Sequence, residues 1–217
     1  MHKVSEVKVE HDIILANREV ARKNRDELDK YGVKAFDILG AIGSGKTTMI
    51  EIAVRELKKY KTGVIAGDVV AEIDAARFRK LGVPVIAMNT GKECHLDAPL
   101  VGYALEDLNL NELDVIFIEN VGNLICPTDF DVGAHKRVVI VSVSEGEDIV
   151  EKHPLIFRRG DFAIINKIDI AKFVNADEDK MIQDVKRINP NIDVIKTSAK
   201  NLEGTDKWLN FVETVAG

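Results

Sequence analysis

The chain predicts an α/β fold, a doubly wound, mostly parallel sheet flanked by helices. Three observations carry this. Short apolar runs alternate with helical stretches from Lys34 onward. Several runs, such as Val115-Ile116-Phe117-Ile118 and Val138-Val139-Ile140-Val141, are apolar at every position, as strands covered by helices on both faces are. A glycine-rich loop joins the first run to the first helical stretch after it.

At 217 residues the chain is long enough for one domain with a substantial core. Its 46% hydrophobic content excludes a disordered chain, and only 2 Cys exclude a disulfide scaffold. No apolar run approaches the ~18 residues that a membrane-spanning helix needs. A net charge of −6 argues against general nucleic-acid binding. The start, Met1-His2-Lys3-Val4-Ser5-Glu6-Val7, is charged and mixed, unlike a signal peptide. A cytoplasmic, reducing setting with no membrane and no nucleic-acid partner is the expectation.

Residues 1–32 form an N-terminal segment and residues 33–217 the main domain. Within the first, Val7, Ile14, Ala21 and Leu28 repeat every seven residues, which predicts an amphipathic helix over 5–31 ending near Tyr31-Gly32. It either packs on its own domain or extends as a partner-binding arm. Strands are predicted at 34–39, 63–66, 83–87, 114–118, 137–143, 161–165 and 192–196. Helices are predicted at 46–60, 70–81, 97–108, 176–188 and 205–215. Gly63, Gly82 and Pro84 punctuate the joins. In such sheets ligands sit at the carboxyl ends of the strands, so chemistry is sought there.

After the first strand comes Gly40-Ala41-Ile42-Gly43-Ser44-Gly45-Lys46-Thr47, followed by Thr48, which matches G-x-x-x-x-G-K-[ST] in its strand-to-helix context. This is a P-loop NTPase signature. Its backbone N–H groups and the following helix N-terminus suit phosphate, Lys46 can reach the β- and γ-phosphates, and the Thr47 hydroxyl can ligate Mg²⁺.

The strand at 161–165 runs into Asn166-Lys167-Ile168-Asp169. Guanine offers two adjacent N–H donors, which one carboxylate accepts together and which adenine lacks, so Asp169 suits guanine. Lys167 can lie over the base, and Asn166 can tie this loop to the phosphate loop. The next strand ends in Thr197-Ser198-Ala199-Lys200, similar to the S-A-K element that backs guanine. The set resembles P-loop GTPases and points to GTP. Asp68 and Glu119 stand at further strand ends as Mg²⁺ carboxylates, with Gly122 placed to sense a γ-phosphate. Asp74 is a candidate for orienting water beside Lys46 and Asp68, although an exposed helix acid is its plainer reading. Glu119-x-x-Gly122 lies far past Thr47, much later than in Ras-like proteins. The gap resembles the signal-recognition/MinD-type class, whose members commonly dimerise near their nucleotide.

Two segments hold the cysteines: Gly91-Lys92-Glu93-Cys94-His95-Leu96-Asp97 and Glu119-Asn120-Val121-Gly122-Asn123-Leu124-Ile125-Cys126-Pro127. Without a regular C-x-x-C spacing they are a weak metal signal. The phrases, however, resemble the hydrogenase nickel-incorporation GTPases, the HypB family, over the chain from about residue 10 onward. The resemblance implies a GTP-hydrolysing metallochaperone with slow intrinsic turnover. It implies a homodimer that works with a maturation partner protein and the hydrogenase large-subunit precursor. It places Ni²⁺ or Zn²⁺ on Cys94, His95 and Cys126 at the dimer interface, a sensible N/S set for either metal. Residues 1–34 hold only His2 and His11 and no Cys, so the nickel-storage tracts of some members are missing. His11, His135 and His153 receive no role. Alternatives are a urease-accessory nickel GTPase, a GTP switch with structural zinc, and an ATP-dependent small-molecule kinase, against which Asp169 speaks.

Overall fold

A computed structural model describes residues 2–68, 70–91 and 94–217, and side chains from residue 11 onward. The Val7 position of the heptad seam and the middle of the Gly91–Asp97 phrase fall outside what is described. Seven strands form one sheet in the order β3-β2-β4-β1-β5-β6-β7. They are β1 (Lys34–Gly40), β2 (Thr62–Asp68), β3 (Val85–Asn89), β4 (Val115–Glu119), β5 (Lys136–Ser142), β6 (Phe162–Asn166) and β7 (Asp193–Lys196). Every neighbouring pair is parallel.

The helices are α1 (His2–Lys30), α2 (Lys46–Glu56), α3 (Glu72–Arg79), α4 (Ala98–Glu106), α5 (Ile149–Lys152), α6 (Pro154–Arg158), α7 (Glu178–Ile188) and α8 (Thr205–Ala216). The all-apolar runs serve two faces by simple alternation. Phe36, Ile38, Val138 and Ile140 meet α2, α3 and α8 on one side. Ala35 and Ile116 meet α1 and α4 on the other, and Val139 and Val141 meet α5–α7 there.

Trp208 of α8 is fully buried, sets its ring edge-on to Phe36 at 6.3 Å and donates Nε1–H to the Met49 carbonyl at 3.0 Å. Truncation to alanine opens a cavity and orphans that carbonyl. W208A is expected to cost about 3–5 kcal/mol in denaturant unfolding; a loss below ~1 kcal/mol would show that the site collapses around the gap.

Boundaries moved for local reasons. The strand predicted at 83–87 starts at Val85, because Pro84 has no N–H and contributes only its carbonyl, to Val64 N–H at 2.9 Å. Helix α2 stops at Glu56, where Leu57 leaves helical geometry. Asp97 caps α4 by accepting from Leu100 N–H at 2.9 Å, and Asp177 caps α7. Helices α5 and α6, split at Pro154, are too short to show a period and went unpredicted.

The C-terminal half of α1 packs on the rest of the chain. Leu28 and Ala21 are buried, and the same seam carries buried Asn17 and Asn24. Asn17 accepts from Ala98 N–H at 2.8 Å, and Asn24 donates to the carbonyls of Ala98 and Val132. His135 closes the contact. Its Nδ1 accepts Ala35 N–H at 3.0 Å, so Nε2 carries the proton and donates to Asp29 at 2.9 Å.

Burial holds His135 below the ordinary 6.5, against the pull of Asp29. The folded state therefore binds fewer protons than the unfolded one just below pH 6.5, and stability is lost there as the pH is lowered. Thermal unfolding at pH 7.5 and 5.5 should show a larger loss for the wild type than for H135Q. Equal losses would contradict the assignment.

A polar seam crosses the α1/α4/α7 side of the sheet. Asp37 interrupts β1, fully buried, with Asn120 Nδ2 donating to Oδ1 at 3.0 Å and Arg137 Nε 3.5 Å from Oδ2. Burial pushes the Asp37 carboxyl up, and Arg137 and Asn120 pull it back.

Candidate functional site: a nucleotide cleft and a Cys/His trio at one end of the sheet

A parallel sheet puts the carboxyl ends of all its strands together, and the predicted chemistry collects there. The loop after β1 turns into α2 and walls a cleft of about 360 Å³ with Lys46, Thr47, Asp68, Asp74, Glu119, Gly122 and Lys167. Lys46 Nζ donates to the carbonyls of Gly40 at 3.2 Å and Ala41 at 3.1 Å. Burial lowers its pKa, while Glu119, Asp68, Asp74 and Glu145 oppose the shift. Four acidic side chains around one lysine favour its charged form, which a phosphate would need.

The loop's glycines answer to close neighbours. Gly45 has φ +109°, and a β-carbon there would lie 2.2 Å from Asn166 Nδ2. That amide donates to the Ser44 carbonyl at 2.9 Å, so Asn166 ties the loop after β6 to the loop after β1. Its Oδ1 accepts from Thr197 Oγ1 at 3.0 Å and Ala199 N–H at 3.1 Å, binding in the S-A-K turn as well. Ser198 is buried and donates to Asp169 Oδ1 at 2.7 Å, which orients the carboxylate. Lys200 is exposed at the end of this turn.

Thr47 Oγ1 donates to Glu119 Oε1 at 2.6 Å and is 3.4 Å from Asp74 Oδ1. Asp74 is half-buried in the cleft, which corrects its reading as an exposed helix acid: α3 runs along the cleft and turns this residue inward. Glu119 is buried, its Oε2 has no hydrogen-bond partner among the described residues, and burial raises its pKa to about 7. An orphaned carboxylate oxygen beside a threonine hydroxyl and two further acids is a hard-oxygen set, and it fits Mg²⁺.

Three residues here went unpredicted. Arg77 of α3 lines the cleft, but its guanidinium is held bidentate by Glu51 at 3.1 and 2.9 Å. Glu145 follows β5, has a buried unpartnered oxygen, and is raised to about 7 by burial with Lys167 and Lys46 facing it. Its strand-end position was the available signal. The Phe130 ring lies tilted against His95 with centroids 4.0 Å apart.

Cys94, His95 and Cys126 come together although they follow different strands. Their ligand atoms lie within 4.8 Å of one another, with Cys94 Sγ 3.6 Å from His95 Nδ1. All three are half-buried. Two thiols and an imidazole are a Zn²⁺ or Ni²⁺ donor set with room for a further ligand. The segment carrying Cys126 also leans on the phosphate loop. Asn123 pairs with Gly40 in an antiparallel bridge, and its Oδ1 accepts from Ile125 and Cys126 N–H. Gly122 packs so closely that a β-carbon would lie 2.3 Å from Ile42 Cγ1. No described helix is long and apolar enough to cross a membrane.

Fold and cleft together define a P-loop nucleotide-binding protein of the α/β class with a Cys/His trio at the same end of its sheet. The family described as "CobW/HypB/UreG, nucleotide-binding domain" matches residues 34–196. A "Probable hydrogenase maturation factor HypB" of Methanocaldococcus jannaschii is 58% identical over 98% of this chain and 97% of the relative. The crystal structure of HypB from Archaeoglobus fulgidus superposes with TM-score 0.89 at 45% identity, covering 94% of this chain and 100% of that one. HypB from Helicobacter pylori in complex with nickel gives 0.88 at 33% identity, covering 93% and 95%. The chain belongs to the HypB family of hydrogenase maturation factors.

Proposed function

We propose that this protein is a GTP-hydrolysing metallochaperone that assists nickel insertion into the [NiFe] hydrogenase large-subunit precursor in the cytoplasm. The observation that carries the reading is the continuity of one segment, 119–126. It begins with the Mg²⁺ carboxylate Glu119, leans on the phosphate loop at Gly122 and Asn123, and ends at the metal-site thiol Cys126. Nucleotide and metal therefore act on the same piece of backbone.

Asp169, set by Ser198, accepts the two guanine donors, and Lys167 covers the base. Lys46 and the loop N–H groups hold the phosphates. Mg²⁺, when bound, neutralises charge on the β- and γ-oxygens. Thr47, Glu119 and Asp68 would hold it, and Asp74 would orient a water for attack on the γ-phosphorus, with GDP leaving. Arg77 is engaged by Glu51, so the cleft lacks a free arginine among the described residues, which supports slow intrinsic turnover.

A second copy completes the metal site in this reading. Three ligands leave a tetrahedral metal open. Ile42, Ile73 and Ile125 stand 83%, 67% and 68% exposed on the phosphate loop, on α3 and beside Cys126. Apolar side chains placed so around both sites favour a covered face.

In a purified maturation reaction, the protein with GTP and Ni²⁺ should load the hydrogenase precursor with nickel, and C94A should not. Full loading by C94A would leave the trio as structural zinc at most. Loading of urease apoprotein in preference to the hydrogenase precursor would favour the urease-accessory reading.

A further inference from the structure

We propose that Asn120, held by the buried Asp37–Arg137 pair, is the positioning residue that transmits the nucleotide state of Glu119 to both halves of the Cys/His site. This rests on the coupled-site reading above and adds the physical path.

Asn120 follows Glu119, and successive residues at a strand end point to opposite faces of the sheet. Glu119 faces the cleft and Thr47. Asn120 faces the other side, while its own N–H continues the ladder to the Ile38 carbonyl at 3.1 Å. Its side chain is buried, and both Oδ1 and Nδ2 are engaged. Oδ1 accepts from Leu96 N–H at 2.9 Å and Val121 N–H at 3.0 Å, and Nδ2 donates to Asp37 Oδ1 at 3.0 Å. Two N–H donors on one side and a carboxylate on the other leave the amide a single workable orientation. Leu96 directly follows His95, so this amide holds the chain that carries Cys94 and His95.

The same carboxylate reaches the other half of the site. Arg137 lies beside Asp37 Oδ2 and spreads its two terminal nitrogens onto the segment after Cys126, Nη2 to the Pro127 carbonyl at 2.5 Å and Nη1 to the Thr128 carbonyl at 3.3 Å. Arg159 holds the far side of that turn through the Thr128 carbonyl at 2.6 Å. One buried cluster thus grips the chain next to His95 and the chain next to Cys126, and is bonded by backbone to Glu119.

The cluster also has slack in one place. Asp37 Oδ2 and Arg137 Nε sit 3.5 Å apart, both buried and neither in a hydrogen bond among the described residues. Closing that contact would satisfy both groups, and the open and closed contact are the two arrangements the proposal uses. A two-arrangement element touched by both sites is what transmission requires.

The test measures Ni²⁺ affinity by chelator competition for the full chain with Mg²⁺–GDP and with a Mg²⁺–GTP analogue. The wild type should show affinities differing by about tenfold or more between the two states. R137K keeps the charge beside Asp37 but loses the two carbonyl contacts. N120A loses the amide. In both, the ratio should fall by about threefold or more while GDP affinity stays near wild type. N24S weakens a buried amide outside the path and should keep the wild-type ratio.

A wild-type ratio in R137K overturns the proposal and leaves the coupled-site reading standing. So does an equal loss in N24S, which would make the effect one of general stability. A ratio of one in the wild type overturns the coupled-site reading itself. Should N120A not fold, R137K decides.

Discussion

Replacing Asp169 with asparagine is expected to lower GTP affinity by about two to four orders of magnitude and to leave ATP binding as weak as before. The carboxylate is set by Ser198 at 2.7 Å, and in the proposed reading it accepts two N–H donors from guanine. A hydrogen bond to a charged group contributes about 1.5–3 kcal/mol, and two such bonds correspond to that loss. Asparagine presents one acceptor and one donor side by side. That pattern fits xanthine, which has a carbonyl where guanine has an amine, so D169N should gain xanthosine triphosphate as it loses GTP. Competition with GTP, xanthosine triphosphate and ATP reads all three. D169N with wild-type GTP affinity would remove Asp169 from base recognition and reopen the adenine-nucleotide reading.

The second large effect is at the trio. C94A and C126A should each lower Ni²⁺ and Zn²⁺ affinity by more than about a hundredfold, since losing only an outer partner of a metal ligand already costs 10–100-fold. Both cysteines are half-buried and neither is in a disulfide, so thermal stability of the metal-free protein should change by no more than about 1 kcal/mol. GDP affinity should not change, because no thiol lines the nucleotide cleft among the described residues. Chelator competition and GDP titration on the same preparations make the comparison. A variant that keeps wild-type metal affinity would place the metal elsewhere.

These effects trace to residues that sequence reasoning reached, and the reason is local. The phosphate loop and Asn166-Lys167-Ile168-Asp169 are contiguous, and each stands at the end of an apolar run, so motif and strand confirm one another. The sheet was legible because Val138 to Val141 and Val115 to Ile118 are apolar on both faces. What escaped depends on contacts between distant segments. Asp37 reads only as a break in an apolar strand until Asn120 and Arg137 meet it in space. Arg77 looks like an ordinary helix charge until α3 turns it to the cleft and Glu51. Asp74 reads as a candidate for orienting water, but its plainer reading as an exposed acid fails because α3 has too little apolar contrast to show which face is buried. Cys94, His95 and Cys126 are a weak pattern by spacing, since two loops must fold back to bring them within 4.8 Å.

If nucleotide and metal share one segment of the chain, each must change the affinity for the other by the same factor. Ni²⁺ affinity is measured with and without a saturating GTP analogue, and GTP-analogue affinity with and without saturating Ni²⁺, with oligomer mass read by sedimentation in each state. The expected result is one factor, larger than one and equal in the two directions, because linkage requires it, and a dimer in the doubly loaded state. Affinities that do not change in either direction would contradict it.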